Sequence, residues 1–419
     1  MKGITEHNIF ILLLQLSIII FLTFISGNIL KKYKQPTITG DILVGIILGP
    51  TILGKYYPNF FNFLFPEEIV QISLLDTIGW LGLFLVLLST GIEVNLTSIW
   101  KQKKEALNIA LLDIVIPIGI AMVFLSLLPD KIYGNLERKF LINIFTSVIM
   151  TISALPISIR ILKDLKVLKS DLGFLIVSAL TINDIIGWII FTILLSFFEI
   201  GKIEYGEFFK LTFYTILFTV GSLTLGRKLM DKYLHWINIK NQRQSSEAIE
   251  EIISLIFLCG IIFGLTTLAI GIHSLFGFFI AGIMVGDSKE LSEETRNIIH
   301  KFVYSVFISI FFVNIGLKID FFKEFNLFLS LFITFIGIFG RYLGAWFGSY
   351  ILKKSSQERD IISIAHTPGG EMHIVVSILA LRIGLLNEEF FVAIIFGAIV
   401  SSIIAGPWMA YKKRTGIKN

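Results

Sequence analysis

The run from Gly173 to Phe198 holds one charged side chain, Asp184, with eleven uncharged residues before it and fourteen after it. At about 1.5 Å of rise per residue, a helix of this length crosses the hydrocarbon core of a bilayer and leaves Asp184 near mid-depth. A carboxylate at that depth costs roughly 2.5–3.5 kcal/mol on insertion scales, so a chain retains one where something binds to it. The sequence therefore predicts a membrane-spanning helix in which Asp184 binds a ligand, and the simplest ligands are a proton and a small cation.

The composition is also that of a membrane protein. Hydrophobic residues make up 55% of the chain and charged residues 16%, against roughly 45–50% and about 25% in soluble domains. The net charge of +5 does not indicate nucleic-acid binding, because the basic residues lie in short loops between apolar runs. The single cysteine, Cys259, excludes an internal disulfide and a thiolate metal site. We find no nucleotide or cofactor motif.

Apolar runs bounded by charges predict an all-α polytopic membrane protein with about thirteen transmembrane helices. These helices, numbered 1 to 13 in chain order, are predicted near residues 8–30, 38–54, 72–95, 106–128, 139–163, 173–198, 206–226, 250–270, 272–287, 303–318, 326–352, 360–385 and 389–411. The second, ninth and tenth are short for a full crossing.

Lysine and arginine are unevenly divided between the two sides of these helices. Of the 36, 24 lie on the side of the C-terminus and 8 on the other side, and the rest lie within or at the ends of the spans. Because cytoplasmic loops are rich in these residues, we expect the N-terminus outside and the C-terminus in the cytoplasm. We expect the protein in the plasma (inner) membrane of the cell.

The two halves of the sequence share a glycine pattern. The matching residues are Gly40, Gly45 and Gly49 in helix 2, Gly277, Gly282 and Gly286 in helix 9 at an offset of 237, and Gly91 and Gly316 at the ends of helices 3 and 10. Matching helices lie seven apart, an odd number, so the copies cross the membrane in opposite directions, as in many secondary transporters. We expect inverted repeats at about 8–198 and 250–411, linked by the helix at 206–226. The alternative is that these glycines only permit close helix packing.

Helices 5 and 12, which the repeat pairs, each carry helix-breaking residues in mid-span. The residues concerned are Pro156 in helix 5, and Thr367, Pro368, Gly369 and Gly370 in helix 12. Proline removes a backbone donor and glycine loosens a helix, so both segments free backbone polar groups inside the membrane. Matching interruptions in two repeats indicate a transport site.

Asp184 has further polar residues available to it. Asn183 places an amide oxygen beside the carboxylate, and Thr151 and Ser153 add hydroxyl groups next to the carbonyls freed in helix 5. A small monovalent cation prefers oxygen ligands of this kind. The alternative is that Asp184 is a neutral or salt-bridged packing residue.

Arg341 is predicted in mid-span, too far from either end to reach water comfortably, and needs a buried anion. Asp184 and Glu371 are the candidates, and because a guanidinium keeps its proton we expect Arg341 to act as a fixed supporting charge. A purely structural ion pair is the alternative. His366 and His373 flank the second break, and we favour a packing role for them over a metal site or a pH sensor. The acidic residues nearer the ends of their spans, interpreted as packing or interfacial groups, are Asp41, Asp76 and Asp113.

Six segments in this order resemble the monovalent cation:proton antiporter-2 family, in its membrane-domain form without a nucleotide-binding tail. They read ITGDILVGIILGPTILG, LLSTGIEVNL, LTINDIIGWII, HSLFGFFIAGIMVG, FFVNIGLKIDF and TPGGEMHIV. Each segment alone is modestly specific, whereas the ordered set is highly specific. The resemblance extends from about residue 12 to 410.

This resemblance implies thirteen helices, crossing of the broken helices 5 and 12, and a homodimer in which a core bundle moves against a dimerisation bundle. Asp184 matches the family's cation- and proton-binding aspartate, and Arg341 matches the basic position of helix 11. The corresponding segments are about 106–198 and 326–411 for the core bundle and about 8–95 and 250–318 for the dimerisation bundle, within a single transmembrane exchanger domain, 1–419.

Two residues depart from the patterns of particular subgroups. Electrogenic members carry two adjacent aspartates where this chain has Asn183 and Asp184, which favours one-for-one exchange. Potassium-efflux relatives often carry an arginine where this chain has Gly369. The resemblance therefore implies exchange of Na+ or Li+ for H+ by competition at Asp184, and K+/H+ exchange is the alternative.

Other functional classes are a cation channel and a membrane sensor that binds an ion without transporting it. The repeat disfavours a channel, and no carbonyl-lined selectivity-filter motif is present. An enzyme is the weakest option, because no nucleophile–base or metal-ligand set is present in the sequence. The expected partners are a monovalent cation, a proton, the lipid bilayer and a second copy of the chain, without nucleic acid, a cofactor or a resident metal.

Overall fold

The structure is a computed structural model, and it describes residues 4–32, 37–94, 103–133, 138–200, 205–241 and 245–415. Every regular element in these ranges is helical. Within them, nine helices are long and apolar enough to span a membrane, and four shorter apolar helices accompany them. These thirteen fall one to one on the predicted spans, and the all-helical architecture is confirmed.

The helices are numbered anew in chain order. In the first half they are α1 (Glu6–Lys32), α2 (Thr37–Leu48), α3 (Pro58–Leu64), α4 (Ile69–Glu93), α5 (Lys103–Ser126), α6 (Lys139–Ile149), α7 (Leu155–Asp164), α8 (Asp171–Ile200) and α9 (Tyr205–Gly221). In the second half they are α10 (Arg227–Lys240), α11 (Ser246–Ala269), α12 (Ser274–Gly286), α13 (Glu293–Phe302), α14 (Ile308–Gly316), α15 (Phe321–Glu324), α16 (Leu327–Ile351), α17 (Ser356–His366), α18 (Glu371–Arg382) and α19 (Glu388–Thr415).

Two predicted spans are longer than the sequence pattern indicated. Helix 7, predicted at 206–226, continues through a π-helical turn at Ser222–Gly226 into α10, so that one apolar helix covers Phe209–Lys240. Helix 10, predicted from residue 303, begins at Glu293 and reaches Gly316 through a second π-helical turn, Val303–Phe307. In both cases the predicted span ended at charged residues, because an apolar run in the sequence ends at a charge. The backbone hydrogen bonds of the helix continue past these residues, and so does its apolar face.

The chain divides into two compact units, each formed by two separate segments. Unit 1 comprises Met1–Val94 and Leu217–Glu324, and unit 2 comprises Asn95–Ile216 and Phe325–Asn419. Unit 1 contains the segments predicted as a dimerisation bundle, and unit 2 those predicted as a core bundle. The movement and dimer contact assigned to these bundles stay predictions.

Unit 1 is held together by two glycine crossings. Where α2 crosses α14, a Cβ placed on Gly45 would lie 2.9 Å from the Cα of Gly316. Where α12 crosses α4, a Cβ placed on Gly282 would lie 2.9 Å from the Cα of Gly91. Cβ atoms do not approach so closely, so only glycine fits at either point. Each crossing joins a helix of one repeat to a helix of the other, and the two crossings use matching residues, as the inverted repeat requires.

Candidate functional site

The break in predicted helix 5 lies in unit 2, between the end of α6 at Ile149 and the start of α7 at Leu155. Pro156 stands in the first turn of α7, where its missing N–H costs nothing. One turn earlier that missing donor leaves the carbonyl of Ile152 without its helical partner. The interruption therefore follows directly from the position of the proline.

The hydrogen bonding of three successive carbonyl oxygens distinguishes this break, which we call the open break. Among the described residues, the carbonyls of Thr151, Ile152 and Ser153 accept no hydrogen bond, although all three residues are buried. Buried carbonyls normally have a partner, and each one left without a partner is costly. The segment thus presents oxygen atoms that suit a ligand lacking acceptors of its own, such as a cation.

The break in predicted helix 12, between His366 and Glu371, has side-chain partners at Gly369 and Gly370, and we call it the closed break. The N–H of Gly369 donates to Ser401 Oγ at 2.9 Å, and the hydroxyl of Ser402 donates to the carbonyl of Gly369. The N–H of Gly370 donates to His373 Nδ1 at 3.2 Å. Side chains of α18 and α19 therefore supply the partners that a continuous helix would have supplied.

The two breaks cross at a single carbonyl group. Pro368 O accepts from the N–H of Ala154 at 3.2 Å and from Arg341 Nη1 at 2.7 Å. A Cβ placed on Gly370 would lie 2.5 Å from the Cβ of Ala154, so glycine is required for the two chains to approach this closely. The crossing of broken helices is confirmed.

Asp184 lies on α8 beside the open break and is buried, with 3% of its surface exposed. Ser153 Oγ donates to Asp184 Oδ1 at 3.0 Å. Thr151 is also buried, but its hydroxyl donates to the carbonyl of Val148 at 2.8 Å. The structure thus brings the side chain of Ser153 to Asp184, while Thr151 adds its carbonyl to the open segment.

Asn183 connects Asp184 to a second carboxylate that the sequence analysis placed elsewhere. Its Nδ2 donates to Asp113 Oδ2 at 2.9 Å, and both residues are fully buried. Among the described residues, Asn183 Oδ1 and Asp113 Oδ1 have no hydrogen-bond partner. The assignment of Asp113 to the end of its span was wrong, because Asp113 lies near the middle of the 24-residue α5.

Arg341 is held by backbone carbonyls, since its Nη1 donates to Pro368 O at 2.7 Å. Arg341 is buried on α16 and additionally donates from Nε to the carbonyl of Gly337 at 3.2 Å. The sequence analysis named Asp184 and Glu371 as the candidate anions for Arg341. The side chain of Glu371 lies outside the described part of the structure, although its backbone begins α18.

A glycine row on α16 explains how Asp113 reaches this position. A Cβ on Gly344 would lie 2.8 Å from the Cα of Asp113, and one on Gly348 would lie 2.7 Å from the Cα of Ile109. Helix α5 therefore lies directly against the face of α16 that follows Arg341. The sequence holds this signal: glycines spaced by three or four residues in IGIFGRYLGAWFG mark a face for close packing of a neighbouring helix.

Comparison with known proteins identifies the family and the fold. The family model described as "Sodium/hydrogen exchanger, transmembrane" matches residues 18–411. The chain belongs to this family. The name differs from the antiporter-2 family suggested by the motifs, and the two agree on an exchanger membrane domain.

Three relatives show the range of named activities. Cation/H(+) antiporter 17 of Arabidopsis thaliana is 27% identical, over 96% of this chain and 48% of its own length. Na(+)/H(+) antiporter NhaS4 of Synechocystis is 26% identical, over 96% of this chain and 97% of its own length. K(+)/H(+) antiporter 1 of Saccharomyces cerevisiae is 27% identical, over 89% of this chain and 43% of its own length. The chain thus spans about half the length of the plant and yeast relatives.

Among solved structures, the sodium proton antiporter MjNhaP1 from Methanocaldococcus jannaschii superimposes with a TM-score of 0.70. The match covers 97% of this chain and 98% of that one, at 17% identity. This similarity shows the antiporter fold. The exchanger family and this fold identify a secondary transporter architecture and not an enzyme.

Proposed function

We propose that the chain exchanges Na+ or Li+ for H+, one for one, by alternating access, with Asp184 binding either a proton or a cation. The observation that carries this proposal is the position of Asp184: a buried carboxylate, bonded by Ser153, beside a helix break whose carbonyl oxygens are unused. A transported ion must leave as readily as it binds, and neutral oxygens around a single carboxylate suit that requirement. Because one carboxylate cannot hold both ligands, binding one ion requires release of the other.

The atoms around Asp184 supply the remaining ligands. Carbonyl oxygens of Thr151, Ile152 and Ser153 are open, and Asn183 Oδ1 is an unused acceptor among the described residues. Ser153 donates its hydroxyl proton to Asp184 in this structure, and rotation of that hydroxyl would turn its oxygen towards a bound cation. Oxygen ligands from four residues can then replace part of the ion's hydration shell.

The neutral side chain of Asn183 supports one-for-one exchange. The second carboxylate of the site, Asp113, accepts from Asn183 Nδ2 at 2.9 Å, so it has a partner other than a transported ion. If Asp184 is the only group that exchanges a proton for a cation, each transport cycle moves one positive charge in each direction and no net charge. The membrane potential, worth roughly 2.3 kcal/mol per charge per 100 mV, would then not drive exchange.

K+/H+ exchange is the second candidate, and the yeast relative named as a K(+)/H(+) antiporter favours it. Oxygen ligands alone do not select between Na+ and K+, since the size of the cavity and the number of ligands decide. A channel and a non-transporting sensor are the candidates from other classes. Against both stands the symmetric pair of broken helices, an arrangement used by alternating-access transporters.

The finer assignments form part of the same proposal. We propose that unit 1 forms the contact of a homodimer, through about 8–95 and 250–318, and that unit 2 carries the ion. We also propose a plasma-membrane location with the N-terminus outside and the C-terminus in the cytoplasm, and the excess of Lys and Arg on one side of the spans supports this orientation.

The test uses everted membrane vesicles with an acid interior, challenged in turn with Na+, Li+ and K+, for the wild type and Asp184→Asn. We expect Na+ and Li+ to collapse the pH gradient in the wild type and not in the variant. A response to K+ alone would show that the protein is an exchanger whose cation is K+ and not Na+ or Li+. No response to any cation, from protein shown to be folded in the membrane, would support the channel or sensor.

The stoichiometry has its own test in proteoliposomes of purified protein. We expect the rate of Na+-driven proton movement to be the same with the membrane potential clamped at zero and at 100 mV. A robust current that depends on the potential would contradict one-for-one exchange.

A further inference from the structure

Arg359, in the first turn of α17, lies over two aromatic rings at the end of α16. Its guanidinium carbon is 5.0 Å from the centre of the Trp346 ring and 5.3 Å from the centre of the Tyr350 ring. The two rings lie one helical turn apart and are stacked, with centroids 5.2 Å apart and planes 8° apart. Such a contact attracts the charge of the guanidinium but does not use up its five N–H donors.

The charge of Arg359 is not matched by the carboxylates next to it in the chain. Glu358 closes the capping box of α17, and Asp360 accepts from Tyr342 and from Lys412, each at 2.8 Å. Among the described residues, the buried Nε of Arg359 has no hydrogen-bond partner. A buried donor without a partner is costly, so this arrangement favours an acceptor that the chain itself does not supply.

The exposed face of α16 indicates the depth of this group in the bilayer. Large apolar side chains between 38% and 58% exposed recur on it every three or four positions, as expected of a helix face that contacts lipid tails: Phe328, Leu331, Phe335 and Phe339. Trp346 and Tyr350 continue this spacing into the last two turns of α16. Because Trp and Tyr concentrate where the hydrocarbon meets the headgroups, Arg359 lies at headgroup level.

We infer that Arg359 binds the phosphate of an anionic glycerophospholipid, whose acyl chains begin against Trp346 and Tyr350. The proposed orientation puts this end of α16 on the cytoplasmic side, where the leaflet is rich in anionic lipids. The site belongs to unit 2, at the opposite end of α17 from the helix-12 break. It adds a lipid ligand to the protein and does not depend on which ion is exchanged.

The turn between α16 and α17 supplies a second cation for the same headgroup. Lys353 is exposed in this turn, and its N–H donates to the carbonyl of Tyr350 at 2.9 Å. The neighbouring Lys354 is paired with Glu105 at 2.8 Å. A guanidinium can bond two phosphate oxygens at once, and an ammonium adds a point charge on a flexible stem.

The same two cations select the class of lipid. A zwitterionic headgroup would bring its own positive charge towards Arg359 and Lys353, whereas phosphatidylglycerol carries a phosphate and no amine. We therefore expect a preference for phosphatidylglycerol over phosphatidylcholine. A bound lipid would compensate Arg359 and hold the end of α16 and the first turn of α17 to one headgroup, which should stabilise unit 2.

The first experiment titrates purified protein in detergent with phosphatidylglycerol and measures bound lipid by native mass spectrometry. The variants are Arg359→Gln and its matched control Arg414→Gln, which removes an equal charge from an exposed position in the last turn of α19, on the same side of the spans. Hydrogen bonds to a charged group are strong enough that their loss weakens binding about tenfold. We expect Arg359→Gln to bind about tenfold more weakly than Arg414→Gln. Equal binding by the two variants would overturn the site.

The aromatic pair is tested by two further variants that keep an apolar side chain. Tyr350→Leu removes a ring from beneath Arg359, whereas Phe335→Leu removes a ring of similar exposure, 58% against 54%, elsewhere on the same face. Loss of a cation–ring contact should weaken binding of phosphatidylglycerol about threefold in Tyr350→Leu, with no change in Phe335→Leu. An equal effect of both variants would contradict a role for the ring pair.

Competition separates a lipid phosphate from a free one. We expect phosphatidylcholine to bind more weakly than phosphatidylglycerol, and inorganic phosphate not to displace phosphatidylglycerol. Displacement by inorganic phosphate would make this a site for a soluble anion, and equal binding of the two lipids would show only general solvation by lipid. Either result would overturn the assignment.

Thermal unfolding tests the consequence for stability. Phosphatidylglycerol should raise the melting temperature of the wild type and of Arg414→Gln, and raise that of Arg359→Gln less. An equal rise in all three proteins would contradict stabilisation through Arg359. None of these measurements requires transport, so the lipid site and the proposed function can fail separately.

Discussion

The two helix breaks of unit 2 occupy matching positions in the inverted repeat, yet they differ in how many side chains bond their backbone. In the helix-5 break, the carbonyls of Thr151, Ile152 and Ser153 have no hydrogen-bond donor among the described residues. In the helix-12 break, Ser401, Ser402 and His373 bond the backbone of Gly369 and Gly370. Symmetry therefore supplies two interruptions, and side chains make the hydrogen bonding of the two different.

The difference predicts two kinds of variant. Changes at the open break should alter the binding of a cation and leave the stability of the fold largely intact. Changes at the closed break, and at the charges that support it, should alter stability and leave the affinity for a cation intact. Four substitutions test this division, beginning with the largest expected effect.

The largest effect is expected for Asp113→Asn, which removes the fully buried carboxylate that accepts from Asn183 Nδ2 at 2.9 Å. The balance of charge among the buried residues Asp113, Asp184 and Arg341 changes, and a buried charge left uncompensated costs roughly 3–5 kcal/mol. We expect a large fall in folded yield and in the melting temperature of purified protein, followed by tryptophan fluorescence. The double variant Asp113→Asn with Arg341→Gln should recover much of the loss. Wild-type melting of the single variant would show that this pair does not support the break.

A smaller effect is expected for Gly370→Ala, whose new Cβ would lie 2.5 Å from the Cβ of Ala154. Overfilling of a tight contact usually costs about 1–3 kcal/mol. Removing the opposing methyl group, as Gly370→Ala with Ala154→Gly, should restore part of the melting temperature. Gly337→Ala is the control, because the atom nearest its Cβ is 3.9 Å away. Equal melting of Gly370→Ala and Gly337→Ala would argue against a tight crossing.

Ser401→Ala should destabilise the closed break without changing cation affinity. It removes the acceptor of the Gly369 N–H, and a buried donor left without a partner costs roughly 1–3 kcal/mol. We expect a lower melting temperature and an unchanged KM for Na+ in proteoliposomes. A raised KM with normal melting would place this break in the ion site and remove the distinction between the two.

Ser153→Ala should have the smallest effect on stability and a selective effect on binding. It removes the 3.0 Å hydrogen bond to Asp184 and one oxygen from the open break. A loss of about 1 kcal/mol corresponds to a rise in KM of roughly fivefold. Ser158→Ala is the control, because that hydroxyl donates to the carbonyl of Ala365 at 2.6 Å, away from Asp184. A KM that rises equally in both variants would count against a local role for Ser153.

The sequence predicted the architecture well because its signals are periodic and local. Long apolar runs fix the spans, repeated glycines fix the symmetric crossings of unit 1, and Pro156 and Pro368 mark the interruptions. The charge of Asp184 in an apolar run marks the centre of the candidate site. Each of these features is defined by residues that are close together in the chain, so a single sequence is enough to recognise it.

The partners within the site could not be predicted in the same way, because they come from distant segments. Asp113 is separated from Asn183 by 70 residues. It is the one charged residue between Glu105 and Asp130, as Asp184 is in its own run, but that pattern does not show which helix it meets. The closure of the helix-12 break depends on Ser401 and Ser402, which lie on another helix. Which break is open is therefore a tertiary property that proline and glycine do not reveal.

One oxygen atom at the crossing has a further mechanical consequence. Pro368 O accepts from both Ala154 and Arg341, and four residues further along helix 5 the hydroxyl of Ser158 holds the carbonyl of Ala365. An interrupted helix could bend like a hinge. Bending at either interruption, however, would strain all of these hydrogen bonds at once. The two breaks are therefore linked to each other, and bending at one would have to move the other or break these hydrogen bonds.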